Sequence, residues 1–181
     1  MGFGAPSVKG RALRYLAQRE HSRTELERKL ARHVDDTPEA PASLRIAAAL
    51  DELTALGFID EERVAASVLR GQGARFGSRR LKQTLQLKGL DPELISSTLQ
   101  EARGTELERA REVWRRRYGS TATVDARGAI GVARLASAVG AAEPVSAAER
   151  GRQMRFMAGR GFDGDVIRRV MRMQKADAED D

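Results

Sequence analysis

Residues 56–95 decide the fold, and they read LGFIDEERVAASVLRGQGARFGSRRLKQTLQLKGLDPELI. Apolar residues recur here at helical spacing, as Leu81 and Leu85 do. Gly57 and Gly89 each follow such a stripe, at a place where a residue with positive φ can end a helix. An acidic residue comes within three positions of each glycine and can cap the next helix. The stretch therefore predicts short helices joined by tight turns.

The same pattern extends along most of the chain. Two S/T-x-x-E capping boxes, Ser22–Glu25 and Thr105–Glu108, are each expected to open a helix, because hydroxyl and carboxylate both satisfy orphan backbone N–H groups. Alternation with a period of two, which would indicate strands, is absent from the sequence. We therefore predict an all-α protein. Apolar stripes that we assign to its core include Leu26 with Leu30, Ile46 with Leu50 and Leu53, Ile95 with Leu99, and Ile167 with Val170.

A short unit recurs three times, as Arg19-x-x-Ser22, Arg75-x-x-Ser78 and Arg160-x-x-Asp163, each followed by an apolar helix. Such units bury little surface alone and are stabilised by their neighbours, so we expect tandem three-helix repeats in an elongated, curved array. The expected domains are a first unit at 1–70 with a loop at 35–43, a second at 71–118, a flexible linker rich in Ala, Gly and Ser at 119–149, a third unit at 150–175, and an acidic tail at 176–181.

Composition excludes several classes of protein. The chain has 181 residues, 41% hydrophobic and 32% charged, with no cysteine. Neither a membrane-spanning run nor a secretory signal is visible, so we expect the protein to be in the cytoplasm. We also expect a monomer. The net charge of +6 favours an acidic partner such as nucleic acid or an acidic protein.

Catalytic and metal-binding patterns are missing from the sequence. His21 and His33 stand twelve residues apart, without the spacing of metal ligands, and we expect surface or capping roles for both. Residues 71–77 contain three glycines but match no phosphate-binding motif, which indicates an interhelical turn. We therefore expect no enzymatic activity, no metal and no cofactor.

Positive charge is concentrated in three blocks, with net charges of +5 at 1–33, +6 at 70–118 and +6 at 150–175. One basic group surrounds the predicted start of the helix at Arg79, where exposed N–H groups and the helix dipole favour an anion, either a phosphate or a carboxylate. The candidate contact residues for a partner or DNA are Arg75, Arg79, Arg80, Lys82, Lys88, Arg155, Arg160, Arg168 and Arg169.

Residues 56–95 closely resemble the central module of the RecX family, bacterial regulators of the RecA recombinase. The resemblance extends to ALRYLAQREHSRTELERKL at 12–30 and to RQMRFMAGRGFDGDVIRRVM at 152–171, in the family's order of elements. Residues 119–149 depart from the family pattern. The resemblance thus covers most of the chain.

This resemblance implies a non-catalytic protein that lies along the groove of the RecA filament on DNA and inhibits ATP hydrolysis, strand exchange and SOS-repressor cleavage. Non-specific DNA binding through the basic faces is a further expectation. The alternative hypothesis is a direct DNA-binding regulator of helix-turn-helix type, because the predicted helix 79–88 offers Gln83 and Gln86 for base contacts.

Overall fold

The computed structural model describes residues 6–119 and 146–179, and within these ranges it contains nine α-helices and no strand. The all-α prediction is thereby confirmed. None of the described helices is long and apolar enough to cross a membrane. The helices are α1 (Val8–Leu16), α2 (Arg23–Leu30), α3 (Ala42–Ala55), α4 (Glu61–Gln72), α5 (Ser78–Leu87), α6 (Pro92–Gly104), α7 (Glu106–Tyr118), α8 (Ala147–Gly159) and α9 (Gly164–Glu179).

Most of the predicted helix ends are confirmed. Ser22 caps α2 in a complete capping box, with its hydroxyl accepting from the N–H of Glu25 and the Glu25 carboxylate accepting from the N–H of Ser22. Gly57, Gly89 and Gly161 have φ values of 75°, 74° and 80°. These glycines end helices in the left-handed conformation that other residues rarely adopt.

The second predicted capping box is wrong. Although α7 begins at Glu106, the Thr105 side chain caps no N–H group of that helix. Because α6 continues to Gly104, Thr105 has φ −108° and ψ 6° rather than the extended backbone of an N-cap. Its hydroxyl instead donates to the carbonyl oxygen of Ala102 at 3.4 Å.

The described chain forms two compact units, which we call unit 1 (residues 6–72 and 81–101) and unit 2 (residues 73–80, 102–119 and 146–179). In unit 1, helices α1, α2 and α3 pack against one another. Leu26, Leu30, Leu50 and Leu53 are fully buried in this core. Burying each of these side chains contributes roughly 1.5–3 kcal/mol of transfer free energy, so the first three-helix bundle is held mainly by apolar contacts.

A partly buried ionic network links α2 to the end of α5 within unit 1. The Lys88 ammonium lies 2.9 Å from both carboxylate oxygens of Glu25, and Arg19 donates to the same carboxylate at 3.0 Å. The Ser22 hydroxyl donates to the backbone carbonyl of Lys88. Burial alone would raise the pKa of Glu25, but these hydrogen bonds outweigh it and lower the pKa to about 2.

His21 occupies a different place from the one expected. Its side chain is buried, so the expected surface role is wrong. The ring packs beside Tyr15, and Nδ1 lies 3.0 Å from the carbonyl oxygen of Arg19. Burial lowers the pKa of this imidazole, which favours its neutral form.

Unit 2 is built on α7, α8 and α9, which pack against one another. The expected second unit at 71–118 contains α7, whereas in the structure α7 packs with the helices that follow it. Ala110 and Val113 of α7 share a core with Phe162 and Val170. The apolar face of α7 is thus covered by α8 and α9.

Two of the expected segments fall largely or partly outside the described residues. These are the linker at 119–149, of which 120–145 lie outside, and the acidic tail at 176–181, of which 180–181 lie outside. The helices on either side have clear bounds, since α7 ends at Tyr118 and α8 begins at Ala147.

We predict that Glu25→Gln lowers the free energy of unfolding by about 1–2 kcal/mol at pH 7. A folded-state pKa of about 2, below the ordinary 4.5, means that Glu25 stabilises the folded state above pH 4.5. This stabilisation is lost as the pH falls from 4.5 towards 2. Urea unfolding at several pH values should therefore show that the difference in free energy of unfolding between the wild type and Glu25→Gln becomes smaller at acidic pH. Glu101→Gln, which removes an exposed carboxylate of α6, is the control; equal effects of both substitutions would contradict the prediction.

We predict opposite effects for two glycine-to-alanine substitutions six residues apart. A Cβ at Gly77 would lie well under 3.0 Å from backbone atoms of Gly161 and Phe162, so Gly77→Ala should cost about 1–3 kcal/mol. A Cβ at Gly71 meets no atom within 4 Å on the exposed side of α4, so Gly71→Ala should stabilise by up to about 1 kcal/mol. Urea denaturation measures the free energy of unfolding of both variants. An unchanged value for Gly77→Ala would contradict the close backbone approach.

Candidate functional site

Three arginines surround one aromatic ring in unit 2. The guanidinium carbons of Arg80, Arg75 and Arg160 lie 4.7, 5.7 and 6.0 Å from the ring centroid of Phe76. Arg160 also lies 4.7 Å from the ring centroid of Phe156. These distances are typical of cation–π contacts, which hold guanidinium groups against a ring face. We call residues 75, 76, 80 and 160 the Phe76 arginine cluster.

The loop that carries Arg75 and Phe76 is fixed by α7. The Arg109 guanidinium donates to the carbonyl oxygens of Gly73 at 2.7 Å and Phe76 at 2.9 Å, and also to that of Ala102 at 2.6 Å. Burial lowers the pKa of Arg109, although the neighbouring Glu106 carboxylate opposes this effect. A guanidinium group suits these contacts, because its planar array of N–H donors reaches several carbonyl oxygens at once.

Backbone contacts bring the third arginine of the cluster to the first two. The N–H of Gly77 donates to the carbonyl oxygen of Arg160 at 3.0 Å, and that of Arg79 donates to Gly161 at 3.1 Å. A Cβ at Gly161 would lie 2.6 Å from the backbone nitrogen of Arg80. Glycine is thus required here both for its positive φ and for the space, and the cluster depends on this close approach.

Groups of the chain itself already occupy the start of α5. The N–H and the hydroxyl of Ser78 both donate to the Glu106 carboxylate, whose side chain is buried, and the N–H of Arg79 donates to Gly161. We expected exposed N–H groups at this helix start to favour an external anion. In the structure these N–H groups have internal acceptors, so an anion near Phe76 would be bound by the arginine side chains.

The two candidate lysines belong to unit 1. Lys82 is exposed on α5. Lys88 is mostly buried and forms its ion pair with Glu25. The charge of Lys88 therefore stabilises the fold of unit 1. No local sequence pattern links Lys88 to Glu25.

The remaining candidates lie on α8 and α9 of unit 2. Arg155, Arg168 and Arg169 are all exposed. Arg168 pairs with Asp165 one turn earlier. Among the described residues, neither Arg155 nor Arg169 forms an ion pair, so each presents its charge to solvent. Within the same ranges no group of three His, Asp or Glu side chains is arranged to hold a metal ion.

The centre of the site is not visible in the sequence. Charge identifies Arg75, Arg80 and Arg160 as candidates, but no sequence pattern indicates a role for Phe76, Phe156 or Arg109. The only local signal was the direct sequence Arg75-Phe76, which places a cation beside an aromatic residue. Phe156 lies 80 positions further along the chain, and no pattern in the sequence links these two rings.

Family models of the three RecX domains match the chain in order. The first three-helix domain of RecX matches residues 9–37, the second matches 60–99, and the third matches 140–171. The second match contains all of α4 and α5, and the third contains all of α8.

Two related proteins carry the same family name. A protein described as regulatory protein RecX from Leptothrix cholodnii is 45% identical over 175 residues, which cover 97% of this chain and 92% of the relative. One of the same description from Herminiimonas arsenicoxydans is 37% identical over 169 residues, covering 93% of each chain.

Solved structures share the fold at low sequence identity. A crystal structure of regulatory protein RecX aligns with a TM-score of 0.64 and 20% identity, covering 91% of this chain and 71% of that one. RecX from Lactobacillus salivarius aligns with a TM-score of 0.64 and 18% identity, covering 93% and 95%. Together with the identity of 45% to the Leptothrix protein, these findings show that the chain belongs to the RecX family of regulatory proteins.

Proposed function

We propose that the chain binds the RecA filament formed on DNA and inhibits it without catalysing a reaction. It binds in the groove of the filament, as a monomer in the cytoplasm, and suppresses ATP hydrolysis, strand exchange and cleavage of the SOS repressor. In this way it modulates DNA repair and recombination. Membership in the RecX family supports this role, since the relatives are described as regulatory proteins.

The Phe76 arginine cluster is the observation that carries the proposal. Three guanidinium groups within 6.0 Å of one ring centroid form a dense positive surface, and a filament on DNA is a long polyanion. Complementary charge speeds encounter between two macromolecules and fixes their register. A dense positive surface of this kind fits a partner that carries repeated negative charge.

Direct duplex recognition is the second candidate function. Arg79, Lys82, Gln83 and Gln86 are all exposed on α5, and Gln and Arg are side chains that read base edges in a major groove. This hypothesis requires sequence-specific binding to duplex DNA in the absence of RecA. A gel-shift assay with competitor duplexes separates it from filament binding.

We predict that the wild-type chain suppresses RecA ATPase activity on single-stranded DNA at a substoichiometric ratio to RecA. Arg79→Glu combined with Arg80→Glu should raise the concentration for half-maximal inhibition at least roughly tenfold, equivalent to about 1.4 kcal/mol. Helicity should be retained, because acidic residues in the first turn of a helix suit its dipole.

The matched control is Arg115→Glu combined with Arg116→Glu, which makes the same change in charge on the exposed end of α7. Each of these arginines pairs with Glu112 of its own helix. The control should inhibit at near wild-type concentration. Equal losses in both variants would point to net charge alone, and unchanged inhibition by the folded Arg79 and Arg80 variant would remove α5 from the interface.

We further predict that Arg109→Lys weakens filament inhibition severalfold although it preserves net charge. An ammonium cannot span the three carbonyl acceptors of Arg109, so the loop at 73–77 should lose its fixed conformation. Stability should fall by about 1–3 kcal/mol. Inhibition is measured at a temperature where circular dichroism shows the variant folded, with Arg115→Lys as the control. Wild-type inhibition by folded Arg109→Lys would limit Arg109 to a structural role.

A further inference from the structure

Three described helices, α3, α5 and α8, end in the same kind of turn. In each turn a glycine with positive φ follows the helix, and the N–H of the next residue donates to the carbonyl oxygen five positions earlier. The residue after the glycine is Phe58, Leu90 or Phe162. In a turn of this type that residue commonly packs against the last turn of its own helix. The three turns can therefore be compared position by position.

Phe58 differs from its two counterparts in exposure. Leu90 is 5% exposed and Phe162 is fully buried, whereas Phe58 is 47% exposed. Leu56, which precedes the glycine of the same turn, is 58% exposed. Two large apolar side chains of one turn are thus open to solvent. We call residues 56–58 the Phe58 turn.

The exposure of Phe58 has a cause in the length of its turn. Three positions lead from Gly57 to Asp60, whose carboxylate accepts from the N–H of Arg63 and so caps α4. Only two positions lead from each of the other two glycines to the aspartate that follows it. Ile59 is buried in the core of unit 1. Phe58 is therefore an additional residue that the core of unit 1 does not take up.

Arg63 holds the Phe58 turn in a fixed conformation. Its guanidinium donates to the carbonyl oxygens of Gly57 at 3.0 Å and Phe58 at 3.1 Å. The same group pairs with Asp60 at 3.2 Å and with Glu20 at 3.1 Å. An apolar side chain on a fixed backbone loses less conformational entropy on binding than one on a mobile loop. The Phe58 turn is thus prepared to act as an anchor.

Acidic residues surround the Phe58 turn. Residues 51–63 contain five acidic residues and one basic residue. Two further cations, Lys9 and Arg23, pair with Glu52 and Asp51, so the surroundings still have more acidic than basic groups. Glu62 is exposed in the first turn of α4 and forms no ion pair within residues 6–119 and 146–174. This surface repels phosphate and complements a basic one.

We propose that the Phe58 turn docks into an apolar pocket with a basic rim on a protein, and that this protein is the RecA subunit of the filament. The inference rests on the proposed function, because it assigns the protein component of the RecA–DNA filament to one turn of unit 1.

The chemistry of the turn favours a protein over a nucleic acid as its partner. Aromatic and other large apolar side chains dominate the buried centre of protein–protein interfaces, whereas nucleic-acid interfaces are polar and strongly positive. An apolar anchor surrounded by acidic groups fits the first description. Its partner supplies the opposite chemistry, a pocket for the ring and lysine or arginine side chains around that pocket.

The test measures inhibition of RecA ATPase on single-stranded DNA by the full chain. Leu56→Ala combined with Phe58→Ala should raise the concentration for half-maximal inhibition roughly thirtyfold, the loss typical of truncating a central aromatic anchor. The control is Leu44→Ala combined with Leu87→Ala, which also removes two exposed large side chains of unit 1. Leu44 lies twelve residues before Leu56 on α3, about 18 Å along the helix axis. The control should inhibit at near wild-type concentration.

Two further measurements separate docking from other effects. Binding of a fluorescent oligothymidylate of about 30 nucleotides, without RecA, should be the same for the wild type and the Leu56 and Phe58 variant, because the anchor contacts protein. Phe58→Tyr keeps the aromatic ring and should inhibit as the wild type does. Thermal unfolding followed by circular dichroism establishes that each variant is folded.

A charge reversal tests the acidic surroundings independently of the apolar anchor. Glu62→Lys should raise the concentration for half-maximal inhibition severalfold, with a larger effect at low salt, because a basic rim would then face a like charge. The matched control is Glu93→Lys, which makes the same change at an exposed acidic residue in the first turn of α6. The control should leave inhibition near the wild-type level.

Unchanged inhibition by the folded Leu56 and Phe58 variant would overturn this inference and leave the proposed function standing. Equal losses in the two apolar pairs would overturn it as well, and so would a parallel loss of oligothymidylate binding. If the wild type sediments as a dimer and the variant as a monomer, a second copy of the chain occupies the turn and the inference falls. A wild-type chain that fails to inhibit RecA would overturn the proposed function itself, and this inference with it.

Discussion

One helical turn of α7 determines the conformation of the segment that leads into α5. Glu106 and Arg109 stand three residues apart on one helix face, where the carboxylate holds Ser78 and the guanidinium holds Gly73 and Phe76. Removing ionised groups from water costs several kcal/mol per ion unless hydrogen bonds offset it. Here the hydrogen bonds go to a loop rather than to a bundle core. In unit 2, these two charged side chains therefore stabilise the conformation of the loop.

A fixed loop changes what its arginines can do. Free arginine side chains lose rotamer entropy when they bind, at a cost of roughly 0.5–1.5 kcal/mol for each side chain. In the Phe76 arginine cluster, stacking on the ring already restricts three guanidinium groups. The close contact of Gly161 with Arg80 restricts the backbone as well. Folding has therefore already restricted these side chains. Binding of a partner then costs less side-chain entropy and retains more of the electrostatic attraction.

The sequence predicts the local features of this protein and misses those that join distant residues. Gly57, Gly89 and Gly161 could be assigned because a helix end depends on a few neighbouring residues. Glu106 could not be assigned, since it meets Ser78 across 28 positions and belongs to another helix. The same limit applies to Lys88, whose partner Glu25 lies 63 positions away. Charge is visible in a sequence, whereas the choice between an internal and an external partner depends on tertiary contacts.

The distribution of surface chemistry also suggests how the proposed inhibitor acts selectively. Attraction to phosphate is long-ranged but screened over about 8 Å at physiological salt, and it carries no information about sequence. Contacts of apolar side chains are short-ranged and depend on shape rather than on salt. Among the described residues, four of the five exposed large hydrophobic side chains belong to unit 1, whereas the Phe76 arginine cluster belongs to unit 2. The filament that we propose as the partner consists of protein and DNA, so it offers a surface for each kind of contact.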